Sequence, residues 1–181
     1  MFELRGPFGK RVVDIAGGRA SVTGIDGYLR ELTNVDEKNR TTSQLFNASR
    51  IAGKEHLVHA ARLALIAHST GRNFADSLNV ELVCWAAAER QISRAFEKVG
   101  LCRGDKNLAI LTLGATRMQV KRTMVDITRR LEIERNDDVL ELVPQKVSEI
   151  SEAFSISKDE LKIAPIQKLV LERVALLALE K

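Results

Sequence analysis

Donor side chains are concentrated at the ends of three predicted helices in the middle of the chain. Arg72 and Asn73 lie between the first two helices, and Arg90 and Gln91 lie at the start of the third. Guanidinium and amide groups donate hydrogen bonds, and the N-terminal end of a helix favours anions. Together such groups can bind a nucleotide phosphate and a base edge of single-stranded RNA. Phe74 can add a stacking surface, with an anchor into the core as the alternative.

Histidines are the other candidates for ligand chemistry. His56 and His59 have i, i+3 spacing, and His68 follows on the same predicted helix. A zinc site needs converging ligands, usually with a thiolate or carboxylate among them, and the sequence positions no such partner nearby. We therefore expect ordinary packed or surface histidines, no metal site and no cofactor.

Sequence signatures of catalysis are missing. The chain has no G-x-S-x-G, and the glycines between Ala16 and Gly27 fit neither common phosphate-binding pattern. Cys84 falls on an apolar helical stripe, and the two cysteines imply no disulfide framework, which fits a reducing cytoplasm. We expect a cytoplasmic protein that is not an enzyme. No run of about 18 apolar residues is present, so we expect no membrane contact.

A basic helix is predicted from Thr116 to Leu131. Five basic side chains and Asp126 give the stretch Arg117 to Arg130 a net charge of +4, which equals that of the whole chain. Such a helix attracts phosphates, although a solvated helix face is the plainer interpretation.

The elements that must position these residues indicate an α+β fold. Nearly half of the residues are hydrophobic, and one Trp and one Tyr leave an aliphatic core. We expect one domain over residues 1–181, with a small, mostly antiparallel sheet packed against several helices. Strands are predicted at Phe2–Leu4, Arg11–Ala16, Ser43–Ala48 and Asn107–Leu113, with Gly17 and Gly18 ending the second.

Helices are predicted from apolar spacing and from capping residues. The expected spans are Ile25–Leu32, Lys54–Ser69, about Asp76–Ala88, Glu89–Gly100, Thr116–Leu131, a helix opened by Pro144, a short one capped by Ser157 and Glu160, and a last helix from Pro165 to the C-terminus. Asn34–Thr42 is expected to be an exposed loop, and Asp138–Leu142 a short strand. The last helix is apolar on more than one face, so we expect burial on two sides or one side kept for a partner.

The region from Ser43 to Gly114 resembles a known family. The elements that carry the likeness are His56 and Leu57, Ala60 to Ala67, a basic residue with Asn73, Asn79, Glu81 and Leu82, Arg90 to Ile92, Phe96 and Gly100. In this order they resemble the small kinase-binding subunit of the KEOPS complex, whose eukaryotic member is the PRPK-binding protein. The N-terminal part, Met1 to Arg40, is longer than expected for a compact archaeal member, and Thr116 to Phe154 is divergent.

The resemblance implies a non-catalytic accessory subunit. Members bind the atypical kinase of the complex, contact its other subunits through that kinase, and bind the 3′ CCA end of tRNA for threonylcarbamoyladenosine formation. The RNA-binding candidates that it implies are Arg72, Asn73, Asn79, Arg90, Gln91 and Ile92. For Ile92, packing on the core stripe is the plainer interpretation. The alternative for Asn79 is a bond that ties a helix end to a loop, and for Arg90 it is a surface pair with Glu81 or Glu89.

The same resemblance implies a docking surface for the kinase. We expect this surface on the exposed side of the last helix. Its candidate residues are Ile166, Val170, Val174 and Leu177, with a core position as the alternative. Two other functions remain open: an adaptor that binds only protein, and a small-molecule enzyme with an unrecognised site.

Overall fold

The structure is a computed structural model and describes residues 1–179. The strands are β1 (Phe2–Gly6), β2 (Gly9–Arg19), β3 (Thr42–Asn47), β4 (Asn107–Gly114) and β5 (Glu134–Arg135). The helices are α1 (Ile25–Asn39), α2 (Lys54–Thr70), α3 (Leu78–Ala87), α4 (Ile92–Val99), α5 (Arg117–Arg130), α6 (Pro144–Ala153), α7 (Lys158–Ile163) and α8 (Ile166–Leu176). The prediction of an α+β fold with an antiparallel sheet is confirmed; the domain boundaries stay a prediction.

The five strands form one antiparallel sheet in the order β1-β2-β4-β3, with β5 beside the last residues of β2. Val12 lies opposite Gly114, and Arg19 lies opposite Asn107. Thr42, the first residue of β3, lies opposite Leu113. The starts of β2 and β3 therefore meet the end of β4, at what we call the Gly114 end of the sheet. The other end is the Asn107 end.

Helices cover both faces of the sheet. Side chains alternate between the two faces along each strand, and apolar side chains on both faces need to be buried. In β4, Leu108 and Ile110 pack in the cluster that includes residues of α1 and α5. Ala109 and Leu111 pack in the larger cluster with α2, α3 and α8. Burial on both faces explains why β4 reads as a continuous apolar run.

Capping and stop residues correctly predicted the ends of several helices. Gly71 ends α2 with φ 68°, a left-handed conformation that glycine adopts without strain. Thr116 and Gln119 form a capping box at the start of α5, and Ser157 and Glu160 form one at the start of α7.

The loop expected at Asn34–Thr42 is wrong, because α1 continues to Asn39. Leu32, Val35 and Asn39 are buried at helical spacing, so the polar residues between them form the exposed face of a helix. The Asp36 carboxylate then accepts hydrogen bonds from Thr41 Oγ1 at 2.8 Å and from the backbone N–H of Ser43 at 2.6 Å. These bonds connect the helix end to β3.

The expected stop of β2 at Gly17 and Gly18 is also wrong. The strand continues to Arg19, and the two glycines allow the 133–137 segment to approach closely. A Cβ at Gly17 would lie 2.5 Å from the backbone oxygen of Asn136. The strand expected at Asp138–Leu142 is instead a 3-10 turn over Asp137–Leu140, since the Asn136 side chain accepts from the N–H of Asp138 at 3.0 Å.

The last helix presents a different side to solvent from the one we expected. Ile166, Val170, Val174 and Leu177 are buried in the large core, because this stripe faces α2, α3 and α6. The large exposed apolar side chains near its end are Leu176 and Leu179. The helix gives way to a 3-10 turn at Leu177–Leu179, and the expected extension to the C-terminus falls on 180–181, outside the described residues.

Among the helices of residues 1–179, none is long and apolar enough to cross a membrane.

Candidate functional site

A cleft of about 910 Å³ lies where the C-terminal half of α2 meets the 71–77 linker and the final 3-10 turn. Its walls are formed by Leu63, Ile66, Ala67, Thr70, Arg72, Asn73, Phe74, Trp85, Arg90 and residues 177–179. The cleft is therefore apolar along one side and carries two arginines and an amide at its edge.

The buried Glu81 carboxylate holds the linker in place. One oxygen accepts the backbone N–H groups of Phe74 at 2.8 Å and Ala75 at 2.9 Å. The other oxygen accepts the indole N–H of Trp85 at 2.7 Å. A fully buried carboxylate is stable only when its oxygens are satisfied, and three donors do this here.

Two aromatic rings and a guanidinium group pack together at the cleft wall. The rings of Trp85 and Phe74 have centroids 5.4 Å apart at an interplanar angle of 32°. The guanidinium of Arg90 lies 5.4 Å from the centroid of Phe74, as a cation–π pair. Arg90 thus contacts Phe74. It does not pair with Glu81, one of the partners expected for it, because the Glu81 carboxylate accepts hydrogen bonds from the linker backbone and from Trp85.

Arg72 and Asn73 complete the polar edge. Arg72 is exposed at the end of α2, and Asn73 is half-buried, with its amide donating to the carbonyl of Ala75 at 2.9 Å. That bond leaves the Asn73 carbonyl oxygen available to accept, and the Arg72 guanidinium has no ion-pair partner within residues 1–179.

Three of the six sequence-predicted RNA residues lie away from this wall. Asn79 is half-buried in the first turn of α3, and Gln91 and Ile92 are exposed at the start of α4. Ile92 is 42% exposed, so its expected place on the core stripe is wrong; Ala95 and Val99 fill that stripe. The structure brings together Arg72, Asn73 and Arg90, with Phe74 beside them.

His56 is a structural residue of α2. Its Nδ1 accepts the N–H of Ala52 at 3.1 Å, and its Nε2–H donates to the carbonyl of Ala86 at 2.8 Å. These partners fix the neutral tautomer, and burial lowers the pKa of His56 to about 4. In the described part of the chain no group of three or more His, Cys, Asp or Glu side chains could hold a metal ion.

Two parts of the site were missed by sequence reasoning. Glu81 and Trp85 are four residues apart, which places them on one side of α3, but a glutamate in a helix normally reads as a surface residue. The final 3-10 turn joins the cleft through a long-range contact that no local pattern predicts.

The arrangement can hold a flat apolar group against the half-buried ring of Phe74 while cations neutralise an attached anion. A nucleotide combines these two properties. A phosphate alone would not need the aromatic rings, and an apolar ligand alone would not need the arginines.

Comparison with known proteins identifies a family and a relative. Residues 25–178 match the family model described as kinase binding protein CGI-121. The chain is also similar to the regulatory protein Cgi121 of Methanocaldococcus jannaschii, with 29% identity over 138 residues, which is 76% of this chain and 84% of that protein.

Proposed function

This chain belongs to the CGI-121 family of kinase-binding proteins, and from this premise we propose that it is a non-catalytic accessory subunit of the KEOPS tRNA-modification complex. In this role it binds the atypical kinase of the complex and, through the kinase, the other subunits. It also binds the 3′ CCA end of tRNA and so supports threonylcarbamoyladenosine formation.

The observation that carries the RNA part is the half-buried Phe74 ring at the cleft wall, which packs against Trp85 and forms a cation–π pair with Arg90. An unpaired base at the end of tRNA stacks against the half-buried ring of Phe74 and the exposed guanidinium of Arg90, and each such stack contributes roughly 1–3 kcal/mol. Arg72 and Arg90 neutralise the phosphates next to the base, and Asn73 contacts its polar edge. Asn79, Gln91 and Ile92 remain candidates for nucleotides farther from the end.

Kinase binding is supported by the family description and by the end of the last helix. Leu176 is 43% exposed and Leu179 is 75% exposed, whereas most of the apolar side chains of α8 are buried. Exposed leucines close together in sequence are suited to bury apolar area against a partner. We place the kinase contact on the side of this end that carries Leu176, because Leu179 also lines the cleft.

The RNA proposal is tested with an Arg72→Gln/Arg90→Gln variant and two forms of one tRNA, with and without the CCA end. The variant should bind intact tRNA at least tenfold more weakly than the parent protein. The parent should prefer intact over trimmed tRNA, and the variant should show little preference. An Arg19→Gln/Arg103→Gln variant removes the same charge elsewhere and should behave as the parent. Equal binding of both tRNA forms by the parent would contradict the proposal and leave a protein-only adaptor.

The kinase proposal is tested with Leu176→Asp. This exposed substitution should weaken capture of the purified kinase subunit at least tenfold without unfolding the protein. Val125→Asp places the same charge on an exposed apolar position of α5 and serves as the control. Kinase affinity that is unchanged by Leu176→Asp would move the contact to another surface.

A further inference from the structure

A second basic surface lies at the Gly114 end of the sheet, and nothing in the proposed role of the cleft uses it. It borders a hollow of about 230 Å³. The hollow is lined by Arg11, Arg40, Thr41, Thr42, Leu65, Leu78, Leu113, Gly114 and Ala115. None of these described lining residues is acidic.

Two cations line this hollow, and two more follow its lining residue Ala115 along the chain. Arg11 is near the start of β2, Arg40 follows the end of α1, and Arg117 begins α5 two residues after Ala115. Lys121 is one turn farther along α5. Together we call Arg11, Arg40, Arg117 and Lys121 the basic rim. Within the part of the chain that the structure describes, none of the four is in an ion pair.

The position of Arg40 is fixed by the packing around it. Its backbone has φ 56° and ψ 51°, a left-handed conformation that a glycine would adopt more easily. The next residue, Thr41, bonds to Thr123 of α5, with 3.0 Å between the two hydroxyl oxygens. The chain therefore holds an arginine side chain at an exposed, conformationally costly position beside α5.

Asp36, four residues before Arg40, is in no ion pair with a cation of the rim in the described part of the chain. Asp36 accepts three hydrogen bonds, one from Thr41 and two from Ser43. Burial raises the pKa of this carboxyl group above its usual value, against the effect of those bonds. On α5 itself, Asp126 is paired with Lys38 and Arg129, which are outside the rim.

The rim lies next to the linker that carries the cleft residues. Leu78 lines the hollow, and Phe74 lines the cleft only four residues earlier. Four Cα steps span at most about 15 Å, so one polyanion can reach both places.

We propose that the basic rim binds the sugar–phosphate backbone of the RNA whose single-stranded end occupies the cleft. This inference rests on the proposed function and extends it to a second, sequence-independent contact on the paired part of the same RNA. Guanidinium groups suit this role because they bind phosphate oxygens in pairs and remain charged. Backbone contacts position the RNA, and the cleft recognises its end.

The test compares an Arg11→Gln/Arg40→Gln/Arg117→Gln variant with the parent protein on two probes. One probe is a whole tRNA with its CCA end, and the other is a short single-stranded RNA that ends in CCA. The variant should bind tRNA at least tenfold more weakly, and the slope of log affinity against log salt should fall by about 2 to 3 because three phosphate contacts are lost. Its affinity for the short RNA should be unchanged.

The matched control is Arg19→Gln/Arg103→Gln/Lys106→Gln. It removes the same charge at the Asn107 end, about 24 Å from Gly114 by the length of β4. This control should keep the parent's salt slope. A second rim variant, Arg117→Gln/Lys121→Gln, changes only exposed α5 side chains and should reduce the slope by about 2 without affecting folding.

The outcomes separate the two proposals. A parent protein that binds neither RNA would overturn the proposed function and the rim together. A parent that prefers the CCA end, with rim variants that keep its tRNA affinity and salt slope, would overturn the rim alone. Equal losses for the rim variants and the Asn107-end control would show only general charge attraction and would also overturn it.

Discussion

Glu81 and Trp85 lie one turn apart on the same side of α3, and the indole nitrogen of Trp85 is 2.7 Å from a carboxylate oxygen of Glu81. The second carboxylate oxygen holds the backbone of Phe74 and Ala75, so this glutamate joins α3 to the linker and sets the aromatic wall of the cleft. An acceptor-only side chain is needed, because all three partners are donors.

Glu81→Gln should destabilise the fold by roughly 2–4 kcal/mol. The amide NH2 of glutamine would face a donor and leave buried groups unpaired. Urea denaturation checks this, with half-buried Glu89→Gln as the control, which should cost less than about 0.5 kcal/mol. Equal losses for the two variants would contradict the role given to Glu81.

Trp85 is the only tryptophan in the chain and lies in the cleft wall, so its fluorescence reports on the site. A short RNA ending in CCA should change its emission saturably, since a stacked base alters the environment of the Phe74–Trp85 pair. The same RNA without the CCA end should change it little at equal concentration. Phe74→Leu keeps an apolar side chain but removes the ring, and it should weaken the titration about 5- to 100-fold. A wild-type titration without saturation would argue against occupancy of the cleft.

Val174→Ala should lower stability by about 1–3 kcal/mol, because it removes two methyl groups from a fully buried position. The folded variant should nevertheless bind the kinase as the parent does. Thermal unfolding and a kinase titration well below the unfolding temperature distinguish the two effects. Loss of kinase affinity without loss of stability would restore the buried stripe as a docking surface.

The stability of the fold should fall on acidification through His56. Its pKa is about 4 in the folded protein and near 6.5 when unfolded, so between these values the unfolded chain binds more protons. Lowering the pH from 7 to 5 should therefore cost roughly 2 kcal/mol through this group. Denaturation midpoints across this range test the effect: His56→Gln should flatten the dependence, and exposed His68→Gln should preserve it.

Sequence reasoning succeeded where a local signal determined the outcome. Gly71 ends α2, Thr116 caps α5, and the apolar run of β4 is buried on both faces. It failed where the outcome depended on distant packing. Gly17 and Gly18 resemble the end of a strand, and only the fold shows that the 133–137 segment packs against them. The sequence of an apolar helix such as α8 does not determine which of its sides will be buried.

The candidate site was predicted in part. Arg72, Asn73 and Arg90 line one cleft because the end of α2 and the segment before α4 lie side by side there. The sequence placed these residues at helix ends. The role of Glu81 could not be derived from sequence, since only the fold shows that its carboxylate is buried against the linker.

The position of β2 has a practical consequence for shorter versions of this protein. The family match begins at residue 25, yet β2 ends before it and lies between β1 and β4 in the sheet. A fragment cut at the family boundary would lose a central strand and leave the backbone of β4 open to pairing with a second molecule. Shorter versions should therefore keep both β1 and β2, since a fragment from residue 25 onward is expected to aggregate.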